Sequence, residues 1–126
     1  MNTEIFVRLA VATILGAVIG FEREKHGRPA GLRTHILVAL GSCLIMLISI
    51  YGFPGVTARD PARLAAQVVS GIGFLGAGTI LRDGTSIRGL TTAASLWVVA
   101  GIGLASGTGF YLGAVVTTVI AFLVLV

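Results

Sequence analysis

The residues of this chain that could do chemistry gather in two short stretches. Glu22, Arg23 and Glu24 are followed by Arg33, Thr34 and His35. Further on, Arg82 and Asp83 are followed by Arg88, Thr91 and Thr92. The carboxylates of Glu22, Glu24 and Asp83 are oxygen donors of the kind that approach a hydrated Mg2+. The arginines suit lipid head groups or a partner. Opposite charges near hydrocarbon also pair with each other, so the same residues would equally clamp helix ends and set topology. On the sequence both readings stay open. No pair has diagnostic metal-ligand spacing, so neither a metal site nor a cofactor is assigned. His26 and His35 stand isolated and read as loop or helix-end residues rather than ligands.

Two other motifs carry less. Gly71-Ile72-Gly73-Phe74-Leu75-Gly76 spells G-x-G-x-x-G, which in a dinucleotide fold turns a strand into a helix facing pyrophosphate. No βαβ unit can be drawn around it. The next acid, Asp83, is 12 residues from Gly71 rather than the usual ~20. Close helix packing is the better reading. Ser42, Ser70, Ser95 and Ser106 lie in apolar stretches without a histidine or acid nearby in sequence, and serines so placed bond helix backbone or a neighbouring helix. No nucleophile-base-acid arrangement emerges, no catalytic residue is assigned, and the chain is not expected to be an enzyme.

Composition says what positions these residues. Of 126 residues, 56% are hydrophobic and only 11% charged, against ~25% charged in a soluble domain. Too few charges remain to cover a core in water. An ordinary cytosolic enzyme, a disordered tail and a disulfide-stapled module are thereby excluded. The lone Cys43 allows no internal disulfide. The net charge of +4 does not indicate nucleic acid, because the basic residues sit between apolar runs and aromatics are scarce. The lipid bilayer is the expected partner, and an all-α integral membrane protein the expected fold.

Charges and prolines divide the chain into five apolar runs, residues 5–21, 34–51, 63–81, 91–106 and 110–126. Each is at or just below the ~17–25 residues of a spanning helix. The first run is read as a retained helix, since its strongest charge cluster follows rather than precedes it. Loops one and three, with Arg23, Lys25, Arg28, Arg33, Arg82 and Arg88, hold six basic residues; Arg8, Arg59 and Arg63 give three on the other side. The positive-inside rule then predicts N-out, C-in, with loops one and three cytoplasmic. Asp60-Pro61 reads as an N-cap followed by proline at the first helical position. Tyr51 and Tyr111 fall where interfacial aromatics belong.

Eighteen glycines in such a chain predict close helix contacts. Apolar side chains gain little by leaving lipid for one another, so small residues that let backbones approach drive association. Gly16/Gly20, Gly103/Gly107 and Gly109/Gly113 are spaced four apart, Gly71 and Gly78 seven apart, and Gly73 and Gly76 share their run. A homo-oligomer is expected, a dimer favoured, with Gly16 or Gly113 at its interface.

The sequence resembles a known family at this level of detail. Gly20-Phe21-Glu22-Arg23-Glu24, Gly31-Leu32-Arg33-Thr34-His35 with Leu40-Gly41-Ser42, and Gly73-Phe74-Leu75-Gly76-Ala77-Gly78 are its first marks. Arg82-Asp83-Gly84 and Ile87-Arg88-Gly89-Leu90-Thr91-Thr92-Ala93-Ala94-Ser95-Leu96-Trp97 complete them. Together they look like the MgtC/SapB family of bacterial inner-membrane proteins. The resemblance covers nearly the whole chain, as a single transmembrane domain over residues 1–126. It implies five membrane helices, a cytoplasmic C-terminus and, in many members, an ACT-like cytoplasmic domain after the last helix, which is absent from these residues. Some members carry Asn where Thr91 stands and Cys where Val98 stands. Members are linked to growth in low magnesium, survival inside host cells (virulence) and acid resistance. The resemblance implies a regulator that binds other membrane proteins such as the F-type ATP synthase, with transport of Mg2+ or another small solute as the alternative. A magnesium path would need acids inside the bilayer, and every carboxylate lies at or beyond the end of an apolar run.

Overall fold

A computed structural model describes Asn2–Val126, apart from the side chain of Asp83. Five helices run in order: α1 (Asn2–Lys25), α2 (Leu32–Tyr51), α3 (Ala62–Ala77), α4 (Leu90–Thr108) and α5 (Tyr111–Leu125). Between α3 and α4 lies a small antiparallel hairpin of β1 (Leu81–Asp83) and β2 (Ser86–Arg88). Helices are the structure hydrocarbon demands, because each satisfies its own backbone within one segment. α1, α2 and α4 are long and apolar enough to cross a membrane; α3 and α5, with 16 and 15 residues, are shorter apolar helices. At 1.5 Å per residue α3 is about 24 Å long, less than the ~30 Å of a bilayer core. The chain is an all-α membrane protein.

Two boundaries differ by four residues from those read in the sequence, the others by three or fewer. α1 continues through Glu22, Arg23 and Glu24 to Lys25, so these charges are helical rather than loop residues. Gly27, at φ +64°, then stops it. The Gly27 N–H donates to Glu24 O (3.0 Å) and the Arg28 N–H to Arg23 O (3.1 Å), the two bonds of a Schellman ending. α3, read as continuing to Leu81, ends at Ala77, and Leu81 opens the hairpin instead. Gly84 takes φ +63° in the two-residue Gly84-Thr85 turn, as glycine does at the first turn position of a type II′ hairpin. Asp60 does serve the start of α3: its Oδ1 accepts from the Ala62 N–H at 3.0 Å, while Pro61 holds the cap position itself.

α2 packs against both α1 and α4, and these three helices supply most of the core; α3 lies against α4 and α2, and α5 against α4 and α1. Ala12, Ile19, Ala39, Cys43, Leu96, Val99, Ile102 and Ala114 are buried together. Small residues set these approaches. A Cβ on Gly16 would stand 2.8 Å from Ala39 Cβ, and one on Gly20 2.9 Å from Leu32 Cα. On α4, a Cβ on Gly103 would meet the Ala39 carbonyl oxygen, and one on Gly107 would stand 2.7 Å from Met46 Cβ. Backbones this close exclude even a methyl group, which is how helices gain packing where no hydrophobic drive exists between them. The alternation of the helices gives the bundle two ends: a hairpin end with the 25–32 connection, and a far end with the 51–62 connection.

Candidate functional site

At the hairpin end the last turn of α1 turns two charges inward. Glu22 and Arg23 are 3% and 2% exposed. Arg23 Nε donates to Glu22 Oε2 at 3.0 Å and Nη2 to Oε1 at 3.2 Å. Neighbouring helix positions diverge by about 100°, so the long side chains curl back to make this two-pronged contact. Half-exposed His26, on the next turn, brings Nδ1 within 3.0 Å of Glu22 Oε1 and 3.0 Å of the Glu22 carbonyl oxygen. Both oxygens of this carboxylate therefore face protein donors. Glu24, exposed, lies against Gly31, and its Oε1 accepts from the Leu32 N–H at 3.4 Å, tying the end of α1 to the start of α2.

Next to this pair sits His35, fully buried on α2. Its Nδ1 is 2.8 Å from the Gly31 carbonyl oxygen one turn back, and its Nε2 is 2.8 Å from Ser95 Oγ on α4. Ser95 Oγ in turn lies 2.7 Å from the Thr92 carbonyl oxygen. Glycine at position 20 makes room for the ring, since a Cβ there would stand 3.0 Å from His35 Cβ. His35 and Ser95 thus join α2 to α4, and the Glu22–Arg23 pair of α1 is near enough to act on the ring electrostatically.

The structure brings together only part of the cluster read in the sequence. Glu22, Arg23 and buried Thr92 converge with His35 and Ser95. Thr34 is half-buried at the start of α2, and Arg33 and Arg88 are exposed. The side chain of Asp83 lies outside the described residues. His35, read in the sequence as isolated, is the link between helices. The signal was available: His35, Ala39, Ser42 and Met46 recur at helical spacing on the face α2 buries. Among the described residues, no group of three His, Cys, Asp or Glu is arranged to hold a metal ion.

The glycines divide as well. Gly16 and Gly20 are filled by α2, and Gly76 meets Ala93 of α4, a Cβ there reaching 3.4 Å. Gly78 lies against the carbonyls of the turn that ends α3, and Gly113 against Phe110 of its own first turn. Gly109 has φ +82° and ends α4 beside the Arg8 guanidinium. Gly71 and Gly73 face open space on α3, with nothing within 4 Å.

A second polar network, at the far end, was not read as one. Arg8 Nε donates to Glu4 Oε1 at 2.9 Å and Nη1 to the Gly107 carbonyl at 2.9 Å. The Tyr111 hydroxyl donates to the same Glu4 oxygen at 2.7 Å, and the Arg8 guanidinium lies 5.9 Å from the Tyr51 ring centroid. Four helices meet there, joined through Arg8, Tyr51 and Tyr111. Between α4 and α5 a cavity of about 340 Å3 is lined by Ile19, Thr91, Ser95, Val98, Thr117 and Val124.

The profile of the MgtC family matches residues 9–126. The chain belongs to the MgtC family. Among MgtC-family relatives, the Escherichia coli K12 protein named "Putative magnesium transporter YhiD" is 48% identical over 130 residues, covering 99% of this chain and 60% of its own length. "Protein SapB" of Bacillus subtilis is 48% identical over 117 residues, 88% of this chain and 50% of its own. "Protein MgtC" of Salmonella typhimurium is 50% identical over 114 residues, 90% of this chain and 48% of its own. The chain thus spans about half to three-fifths of these MgtC-family relatives. No solved structure matches it.

Proposed function

We propose that this MgtC-family domain is a non-enzymatic protein of the bacterial inner membrane that acts by binding and regulating other membrane proteins. Adaptation to low magnesium, acid or intracellular stress is the setting the family resemblance supplies, and the F-type ATP synthase is the partner it suggests. The observation that carries the reading is the state of the carboxylates. Glu22 faces Arg23 and His26 with both oxygens, and Glu4 is bound by Arg8 and Tyr111. These acids stand at helix ends and serve protein donors, whereas a hydrated Mg2+ needs free carboxylate oxygens along its way. The six-to-three distribution of basic residues supports N-out, C-in, which puts the Glu22–Arg23 cluster and the hairpin in the cytoplasm. A homodimer would give α3 a neighbour for its open Gly71 and Gly73.

The test is ATP-driven proton pumping by inverted membrane vesicles with and without the protein. Reduced pumping at unchanged ATP synthase content is the expected result; unchanged pumping at any protein level would overturn the regulator. One observation favours the second reading, transport of Mg2+ or another small solute: the printed name of the Escherichia coli relative.

A further inference from the structure

We infer that His35 is a buried proton-binding site, built to hold the imidazole in both its neutral and its charged form, and that it links the state of that proton to the first turn of α4. Two contacts meet at the ring and a third continues from its partner: Nδ1 to the Gly31 carbonyl at 2.8 Å, Nε2 to Ser95 Oγ at 2.8 Å, and Ser95 Oγ to the Thr92 carbonyl at 2.7 Å. Carbonyl oxygens only accept, so Nδ1 must carry a proton to face Gly31. A neutral imidazole then has no proton on Nε2. The single Ser95 hydroxyl hydrogen goes either to Nε2 or to Thr92, and one contact lacks a proton. An imidazolium completes the set: Nδ1–H donates to Gly31, Nε2–H donates to Ser95, and the Ser95 hydroxyl donates to Thr92.

Uptake of a proton therefore reverses the direction of the His35–Ser95 bond without moving a heavy atom. Full burial opposes a charge on the ring, and the completed set of hydrogen bonds is what offsets it. The charged groups acting on the ring are Arg23 and Glu22, both from α1 and bound to each other, so the ring faces a pair of zero net charge. α4 contributes the Ser95 hydroxyl and the Thr92 carbonyl. On α2 itself Arg33 is exposed, two residues before the ring. β2 ends at Arg88 and α4 begins at Leu90, so the loaded site bonds the turn of α4 that directly follows the hairpin. The site is independent of whether the domain regulates or transports.

The experiment is a pH titration of the ring nitrogens by 15N NMR on histidine-labelled protein in detergent micelles, in a His26→Gln background that leaves His35 as the one histidine. The expected result is conversion from one N–H to two as pH falls from about 8 to 4, with helicity by circular dichroism unchanged. Ser95→Ala removes the acceptor for Nε2–H and should move the midpoint down by about one pH unit, the size of one hydrogen bond to a charged group. A ring that stays neutral throughout the folded range would overturn the proposal. So would a midpoint that Ser95→Ala leaves in place. Should Ser95→Ala fail to fold, the titration of the His26→Gln protein still decides whether the site binds a proton. In that case hydrogen exchange of residues 79–92, compared between the two ends of the pH range and corrected for intrinsic rates, decides the link to α4. Slower exchange in the protonated state is expected, and equal exchange would overturn the link.

Discussion

Removing Arg23 while leaving Glu22 should cost the bundle more than losing any exposed charge. Glu22 and Arg23 are 3% and 2% exposed and share two hydrogen bonds of 3.0 and 3.2 Å. Stranding one member of such a buried pair costs roughly 3–5 kcal/mol. His26 Nδ1, 3.0 Å from Glu22 Oε1, still faces the stranded carboxylate, so Arg23→Met should fall near the lower end at about 3 kcal/mol. That is roughly a hundredfold shift in the folded-to-unfolded ratio, since about 1.4 kcal/mol is a factor of ten. The double variant Glu22→Gln/Arg23→Met carries no stranded charge and should recover most of the loss. The assay is reversible unfolding in mixed micelles of rising SDS fraction, followed by circular dichroism, with membrane abundance measured alongside. Arg33→Gln, an exposed site, is the control, with an expected effect within about 0.5 kcal/mol. An Arg23→Met protein as stable as Arg33→Gln, or a double variant no better than the single, would refute the reading of the pair as a buried clamp.

The glycines should split by neighbour rather than by spacing: Gly16→Ala and Gly107→Ala, where a Cβ would stand 2.8 and 2.7 Å from a side chain, should each lose about 1–3 kcal/mol in the same unfolding assay. Gly71→Ala and Gly73→Ala, with open space around them, should lose nothing in that assay, whereas Gly71→Leu should lower the mass of any oligomer measured by light scattering in detergent. Tyr111→Phe removes the hydroxyl that donates to Glu4 at 2.7 Å and should cost about 1 kcal/mol, read as a lower SDS midpoint. For topology, in a Cys43→Ala background, an impermeant thiol reagent applied to intact cells should label Thr57→Cys and leave His26→Cys unlabelled; the opposite pattern would reverse the orientation.

What the sequence displayed and what it hid follow from the range of the forces involved. The existence of five helices was legible because hydrocarbon requires continuous apolar stretches, and charges show where they stop. The end of α1 was not legible from that signal. Glu22, Arg23, Glu24 and Lys25 look like a loop by charge, yet Glu, Arg and Lys are good helix formers, and the helix runs until Gly27 ends it. Gly84-Thr85 between the short runs 81–83 and 86–88 offers glycine at the first position of a two-residue turn, a signal obscured by reading Leu81 as the end of the apolar run before it. The residues of the polar cluster were legible by type, their pairing only in part. His35 seemed isolated because its partner Ser95 is 60 residues away, and no local pattern reports such a contact. In the same way Gly16/Gly20 and Gly71/Gly78 each put two small residues on one helix face, yet Gly16 and Gly20 meet α2 while Gly71 faces open space, because a small residue packs only where another helix is near.

Glu4 and Glu22 are engaged by protein donors at helix ends, and on this reading neither is free to line a path for a cation. The most direct test is flux in proteoliposomes that hold the purified protein with fluorescent Mg2+ and H+ reporters inside. The account predicts rates equal to those of empty vesicles for both ions, with a Mg2+ gradient and with a proton gradient. Mg2+ entry above that background, abolished by Glu22→Gln, would contradict it and place transport first.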